Sequence, residues 1–371
     1  MSSRDIDGLL SKILCPPGNG VFTVNTAKER KELLHKQIFG KTDSIEESWL
    51  ESLKNFKDWK KTFILGVCSD CGGGILRGAN WGPLFLRLKM LEDSLKKDEF
   101  LDLGDVRVIP HLLHDKYLNE ETLKNCKNAL YQDENSPHPV SPLSLTEYFL
   151  TQLYGEKPDS KVFAMGGDHS VSYPLVKAWL AHKKKQGVKT GLVHFDAHTD
   201  LLVERLGIDL CFGSWVTHIL DGLDSPSLCH QIGIRSSGRD RNHWEKTFGV
   251  NQYWANEVKE KGAEEIAKSI ISHFKKEKVE EIYVSFDIDA IDSKYASATG
   301  TPEPDGLEPY QAVCILEALS SEFKITGADM VEIAPFLQTD SHHSNEPHST
   351  LETGSLLSTL LIRAMNENGN S

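Results

Sequence analysis

The stretch Gly191-Leu192-Val193-His194-Phe195-Asp196-Ala197-His198-Thr199-Asp200 joins an apolar run to an acidic one that carries imidazole. Side chains on an extended strand alternate, so Asp196, His198 and Asp200, at i, i+2 and i+4, are expected to point the same way. An apolar strand has little use for three such polar groups unless they are paired or bound to metal. A second apolar run, Ile282-Tyr283-Val284-Ser285-Phe286, closes on Asp287-Ile288-Asp289-Ala290-Ile291-Asp292, and a third, Val162 to Met165, on Gly166-Gly167-Asp168-His169-Ser170. In an open α/β sheet the ligand crevice lies beyond the carboxyl ends of the strands. Strand ends of this kind on parallel neighbours would enclose two cations.

Each motif also has a plainer reading. Gly167-Asp168-His169 alone would be a turn and helix cap, with Asp168 or Ser170 as the capping residue. Asp287 and Asp289, however, would repel each other without a cation between them. Carboxylate oxygens mixed with imidazole, and no thiolate, suit Mn, Fe, Co or Ni better than a structural zinc site. The three motifs together predict a dinuclear metal centre of the hydrolytic kind.

The organisation of the chain agrees. Apolar, β-branched runs recur at Thr62 to Val67, Val106 to Pro110, Val162 to Met165, Leu192 to Phe195, Gln231 to Ile234, Gln252 to Trp254, Ile282 to Phe286 and Gly327 to Ile333. Helix-like segments lie between most of them: Gly82 to Lys97, Ser141 to Tyr154, Val171 to Lys185, Ala263 to Lys278 and Glu308 to Ser320, with Ser355 to Met365 at the end. Strands alternating with helices imply a parallel sheet covered on both faces. The prediction is a three-layer α/β/α domain over residues 61–371 with a mainly parallel, eight-stranded sheet. Residues 1–60, including the charged stretches Ala27 to Gln37 and Ser44 to Asp58, show no strand and predict a helical extension. A late loop, Gln338 to Ser349, holds His342, His343 and His348 and reads as a gate, a substrate contact or simple polar loop.

A formal net charge of −13 argues against nucleic acid as a partner, whose phosphates would need a basic face. No apolar stretch approaches the ~20 residues that span a bilayer, and Met1-Ser2-Ser3-Arg4-Asp5 lacks the blocks of a signal peptide. A cytoplasmic protein without membrane partners is expected. Seven scattered cysteines make a disulfide framework improbable, and the lone Cys68-Ser69-Asp70-Cys71 has no second pair to complete a zinc site.

The three motifs, in this order, resemble those of the ureohydrolase family of arginases, agmatinases, guanidinobutyrases and formimidoylglutamases. The resemblance extends to Arg77-Gly78-Ala79-Asn80-Trp81-Gly82-Pro83, to Leu101-Asp102-Leu103-Gly104-Asp105-Val106 after an early strand, and to Gln231-Ile232-Gly233-Ile234-Arg235. Thr299-Gly300-Thr301-Pro302-Glu303-Pro304 and Ala328-Asp329-Met330-Val331-Glu332-Ile333-Ala334-Pro335 look most like the agmatinase branch. The resemblance implies two Mn2+ ions, with Ni2+, Fe2+ or Co2+ as substitutes. His169, Asp196, Asp200 and Asp287 would hold one ion, and Asp196, His198, Asp287 and Asp289 the other. It further implies hydrolysis of a linear C–N bond in a small cationic guanidino or amidine substrate by attack of a metal-activated hydroxide, a guanidino compound releasing urea and an amine or ammonia. Asp200 would orient the nucleophile and carry its proton, while Glu332 would pair with the guanidinium. Assembly as a homo-oligomer, trimer or hexamer, is implied by the same resemblance.

One departure bears on the substrate. Arginases and agmatinases carry His-Gly shortly after Asp-x-His-x-Asp, but here the stretch reads Leu210-Cys211-Phe212-Gly213-Ser214-Trp215, with Phe212 in the histidine's place. A formimidoylglutamase-like amidine hydrolase and a catalytically weak metal-binding relative are therefore the alternatives. Single-zinc amide deacetylation fits less well, because it uses fewer carboxylates.

Overall fold

The computed structural model describes residues 8, 10–20, 27–337 and 348–367. Its centre is one sheet of β1 (Leu14–Cys15), β2 (Thr62–Val67), β3 (Phe100–Val106), β4 (Val162–Gly166), β5 (Thr190–Phe195), β6 (Cys229–Ile234), β7 (Asn251–Trp254), β8 (Glu281–Asp287) and β9 (Lys324–Val331). The order across the sheet is β1-β3-β2-β4-β9-β8-β5-β6-β7. Each neighbouring pair is parallel except β1 with β3. Every residue of β2, β4, β5 and β6 is buried, which for alternating side chains means that both faces are covered. Helices supply the cover, among them Gly82–Asp93, Pro142–Glu156, Ser172–Gln186, Ala263–Glu277, Pro309–Glu322 and His348–Glu367. The three-layer α/β architecture is the one the sequence predicts.

The strand count is nine rather than eight, because the first sixty residues, expected to hold no strand, contribute β1. Leu14 pairs with Val106 and Cys15 with Asp105. Two residues are too short for any periodic signal. Gly104 (φ 94°) admits this neighbour: a Cβ there would stand 2.1 Å from the Cys15 carbonyl oxygen. The same early region holds helices Lys28–Phe39 and Ile45–Leu53, the latter inserting Trp49, whose Nε1 donates to the Leu103 carbonyl at 3.1 Å.

The strand expected at Val106 to Pro110 lies instead at Phe100–Val106. Asp102 and Asp105 disguise it, since two carboxylates in a buried strand contradict the apolar pattern. Arg87 neutralises them, with Nε 2.8 Å from Asp102 Oδ2 and Nη1 2.5 Å from Asp105 Oδ1. Helices Glu120–Tyr131 and Arg241–Phe248, which the sequence reading did not single out, carry no fully buried residue; Tyr131, Trp244 and Phe248 pack against the core only partly buried. Residues 338–347, with His342 and His343, lie outside the described residues; His348 opens the last helix. Among the described residues no helix is long and apolar enough to cross a membrane.

Candidate metal centre

The motif strands β4, β8 and β5 deliver their carboxyl ends to one rim. β8 and β5 are direct neighbours, while β9, which leads to Glu332, separates β4 from β8. The convergence does not come from strand pleating, as the sequence spacing suggested. β5 ends at Phe195, so Asp196, His198 and Asp200 belong to the loop beyond it, and Asp289 lies in the short 3-10 turn Ile288–Ala290. Asp196 and Asp287 each fold back on their own chain, accepting from His198 N at 2.6 Å and Asp289 N at 2.8 Å. Asp200 adopts φ 51° and Glu332 φ 62°, conformations that cost of order 1–3 kcal/mol and persist only where the surroundings enforce them.

His169 Nδ1 sits at the middle of the first group. Asp196 Oδ2, Asp200 Oδ2 and Asp287 Oδ2 each lie 3.1 Å from it. All four side chains are buried, yet Nδ1 makes no hydrogen bond. A buried nitrogen equidistant from three carboxylate oxygens is the donor set a divalent cation fits. In the second group His198 Nδ1 is 3.1 Å from Asp289 Oδ2 and 3.4 Å from Asp196 Oδ1. Asp196 thus belongs to both groups. Thr301 donates to Asp289 Oδ2 at 2.9 Å, and Ala197 N to its Oδ1 at 3.0 Å.

Behind these groups stand residues that the motif reading overlooked. His169 Nε2 lies 3.1 Å from Ser285 Oγ, and Ser285 donates to Asp329 Oδ1 at 2.8 Å. Tyr283 donates to the other oxygen of Asp329 at 2.8 Å. His194 Nε2 lies 2.8 Å from Asp196 Oδ2, while the Gln231 amide is 2.9 Å from His194 Nδ1 and donates to the Thr199 carbonyl at 2.6 Å. Trp215 Nε1 donates to Asp200 Oδ2 at 2.9 Å. A signal for His194 was present: it shares strand parity with Asp196 and is a polar residue inside an apolar run.

The charge balance points the same way. Burial, reinforced by the negative charges of Asp289 and Asp196, raises the Asp287 carboxyl well above the usual range. Burial with Asp287 and Asp168 does the same to Glu332, although Glu332 Oε1 accepts from His169 N at 2.9 Å. Asp196 is held well below the usual range: burial opposes this, but the imidazoles of His169, His194 and His198 facing its carboxylate outweigh it. So many carboxylates crowded together cannot all ionise without added positive charge. Bound cations would supply it.

Phe212, half-buried, donates its N–H to the Gly72 carbonyl at 3.0 Å, and its ring lies under the Arg205 guanidinium, 5.1 Å from centroid to Cζ. It therefore lines the rim beside the centre rather than the sheet core.

Residues 60–357 match the model of the arginase family. The chain is 35% identical over 206 residues to an agmatinase from Chromobacterium violaceum, a match that covers 55% of this chain and only 58% of that relative. It is 36% identical over 275 residues to a mitochondrial guanidino acid hydrolase of Homo sapiens, covering 73% of this chain and 71% of that one. A solved structure of a hypothetical agmatinase from Burkholderia thailandensis superposes with a TM-score of 0.63 at 24% identity, over 84% of this chain and 87% of the other, which shows the shared fold.

Proposed function

Because this chain belongs to the arginase family, we propose that it is a metal-dependent hydrolase of a linear C–N bond in a guanidino compound, releasing urea and an amine or ammonia. The observation that carries this reading is His169 Nδ1, buried without a hydrogen bond among three carboxylate oxygens at 3.1 Å. His169, Asp196, Asp200 and Asp287 would hold one ion and Asp196, His198, Asp287 and Asp289 the other, with Mn2+ the expected metal. When bound, such ions acidify water and offset charge that builds up at the reacting carbon.

The chain's own groups supply the rest. Asp200, with one oxygen held by Trp215 Nε1, is placed to take a proton from the attacking water and pass it to the departing amine. Glu332, fixed by the His169 N–H, offers a carboxylate to the planar guanidinium. Phe212 at the rim provides no imidazole to pair with an α-carboxylate, which favours substrates without an α-amino acid head. Assembly as a homo-oligomer is part of the same reading and rests on the family resemblance.

The test is metal reconstitution followed by assay of urea or ammonia release over arginine, agmatine, guanidinobutyrate and guanidine, and of formamide or ammonia release from formimidoylglutamate. Two equivalents of metal per chain are expected, with the highest kcat/KM on a guanidino compound lacking the α-amino acid head. One equivalent or none in a folded protein would end the dinuclear assignment. Arginine as the best substrate would end the specificity assignment.

A further inference from the structure

The loop from Asp200 to Trp215 leaves the metal centre and returns to it, since its two ends are tied by the Trp215–Asp200 hydrogen bond. Its outer part turns back sharply: Arg205 N donates to the Ile208 carbonyl at 2.8 Å and Ile208 N to that of Arg205 at 3.0 Å, around left-handed Leu206 and Gly207. Facing it is the segment of Gly72, whose carbonyl accepts from Phe212 N and whose own N–H donates to Asp168 Oδ2 at 3.0 Å, one residue before His169. Between loop and segment lies a cavity of about 500 Å³.

The lining of this cavity is electrostatically opposite to the metal centre. Among the described residues around it there is no aspartate or glutamate, and the one side chain of fixed charge is Arg205. Arg205 is exposed, forms no ion pair among the described residues, and is steadied by the Phe212 ring at 5.1 Å. Leu112, Leu113, Leu118, Leu206, Ile208 and Phe212 give the cavity apolar walls. A ligand complementary to both regions has a cationic head for the acidic centre, a methylene chain for the walls and an anionic end for Arg205.

We infer that this cavity receives the far end of the substrate and that Arg205 binds a carboxylate there, so that the preferred substrate is an ω-guanidino carboxylic acid rather than a guanidino amine. The inference rests on the metal centre acting on guanidino groups. A terminal ammonium would meet a like charge at Arg205 and find no carboxylate on the walls. A carboxylate can take two N–H donors from the guanidinium fork.

The experiment compares 4-guanidinobutanoate, neutral butylguanidine and 4-guanidinobutylamine on the metal-loaded full chain, in the wild type and in Arg205→Met, Arg205→Lys and Arg205→Glu. The wild type is expected to prefer the acid. Arg205→Met should lower the acid-to-neutral ratio of kcat/KM at least about tenfold, the scale of one charge-assisted pair, chiefly through KM. Arg205→Lys should recover part of the ratio, and Arg205→Glu should turn preference toward the amine. An unchanged acid-to-neutral ratio in Arg205→Met, or a wild type that prefers the amine, overturns the inference while leaving guanidino hydrolysis standing. If the loaded wild type releases urea from none of the three, the hydrolase reading fails instead, and calorimetric titration with the same compounds then reads the cavity directly. Acid-selective binding lost in Arg205→Met supports the inference, and equal binding by both proteins overturns it.

Discussion

Ser285 is a small residue with a large share in aiming the centre. Its hydroxyl stands between His169 Nε2 and Asp329, so it both fixes the imidazole plane and connects it to a buried carboxylate that Tyr283 also holds. Groups of this kind, one step behind a metal ligand, commonly govern metal affinity by about 10–100-fold. Ser285→Ala should therefore weaken binding of Mn2+ by that factor with the fold intact, measured by competitive titration against a chelating dye, and unchanged affinity would reduce the chain from His169 to Asp329 to packing. At this scale much of the centre was legible in sequence. His169, Asp196, His198, Asp200, Asp287 and Asp289 do come together, because a carboxylate or imidazole closing an apolar strand is costly unless something binds it. Ser285 and Trp215 were hidden for the opposite reason: a serine or tryptophan in a buried strand or turn has many ordinary uses, and only its distance to a ligand distinguishes it.

Single elements were read well where one physical cause governed them. β2, β4, β5 and β8 are dominated by apolar residues because both faces are covered, with His194 and Ser285 as the polar exceptions that serve the centre, and their positions follow from the sequence. β3 was misplaced because its two carboxylates are balanced by Arg87 of the preceding helix, a pairing that lies outside the strand's own residue pattern. The spacing argument for Asp196, His198 and Asp200 named the right residues but not the device, which is a loop with one left-handed residue. β6 offers a test of its own through His230, which packs edge-on against Phe274 and lies 2.8 Å from His273 Nδ1. Burial, helped by His273, pushes its imidazole down to about 3. The unfolded chain therefore binds a proton near pH 6.5 that the folded chain refuses, and stability is complete above that pH and lost as pH falls toward 3. The slope for one such group is about 1.4 kcal/mol per pH unit. Between pH 6.5 and 5 the Tm of the wild type should fall more steeply than that of His230→Leu, and parallel curves would show that this imidazole does not titrate differently on folding.

For the whole molecule, the concentration of carboxylates at one rim couples stability to metal. An ion that binds only the folded state at a thousandfold its Kd adds about 4 kcal/mol. Chelation should lower Tm by several degrees and resupply of Mn2+ should restore it, whereas a Tm indifferent to both would show that the cluster is stable without cations. The fold class was legible at this scale from alternation alone, while the ninth strand was not, since two residues carry no pattern. That strand has a consequence for the behaviour of the protein in a crowded solution. β1 covers the outer edge of β3 and comes from residues before the family match, which begins at residue 60. Asp105 is drawn into the same cover, accepting from Gly18 N at 2.7 Å and Gly20 N at 3.0 Å. An uncovered inner strand is a template on which another chain can add its own. A chain begun at residue 60 should still assemble the metal rim but grow by sheet-to-sheet association, seen as light scattering that rises with protein concentration while the 371-residue chain stays clear. The short N-terminal strand would then be the molecule's safeguard against self-templated polymerisation.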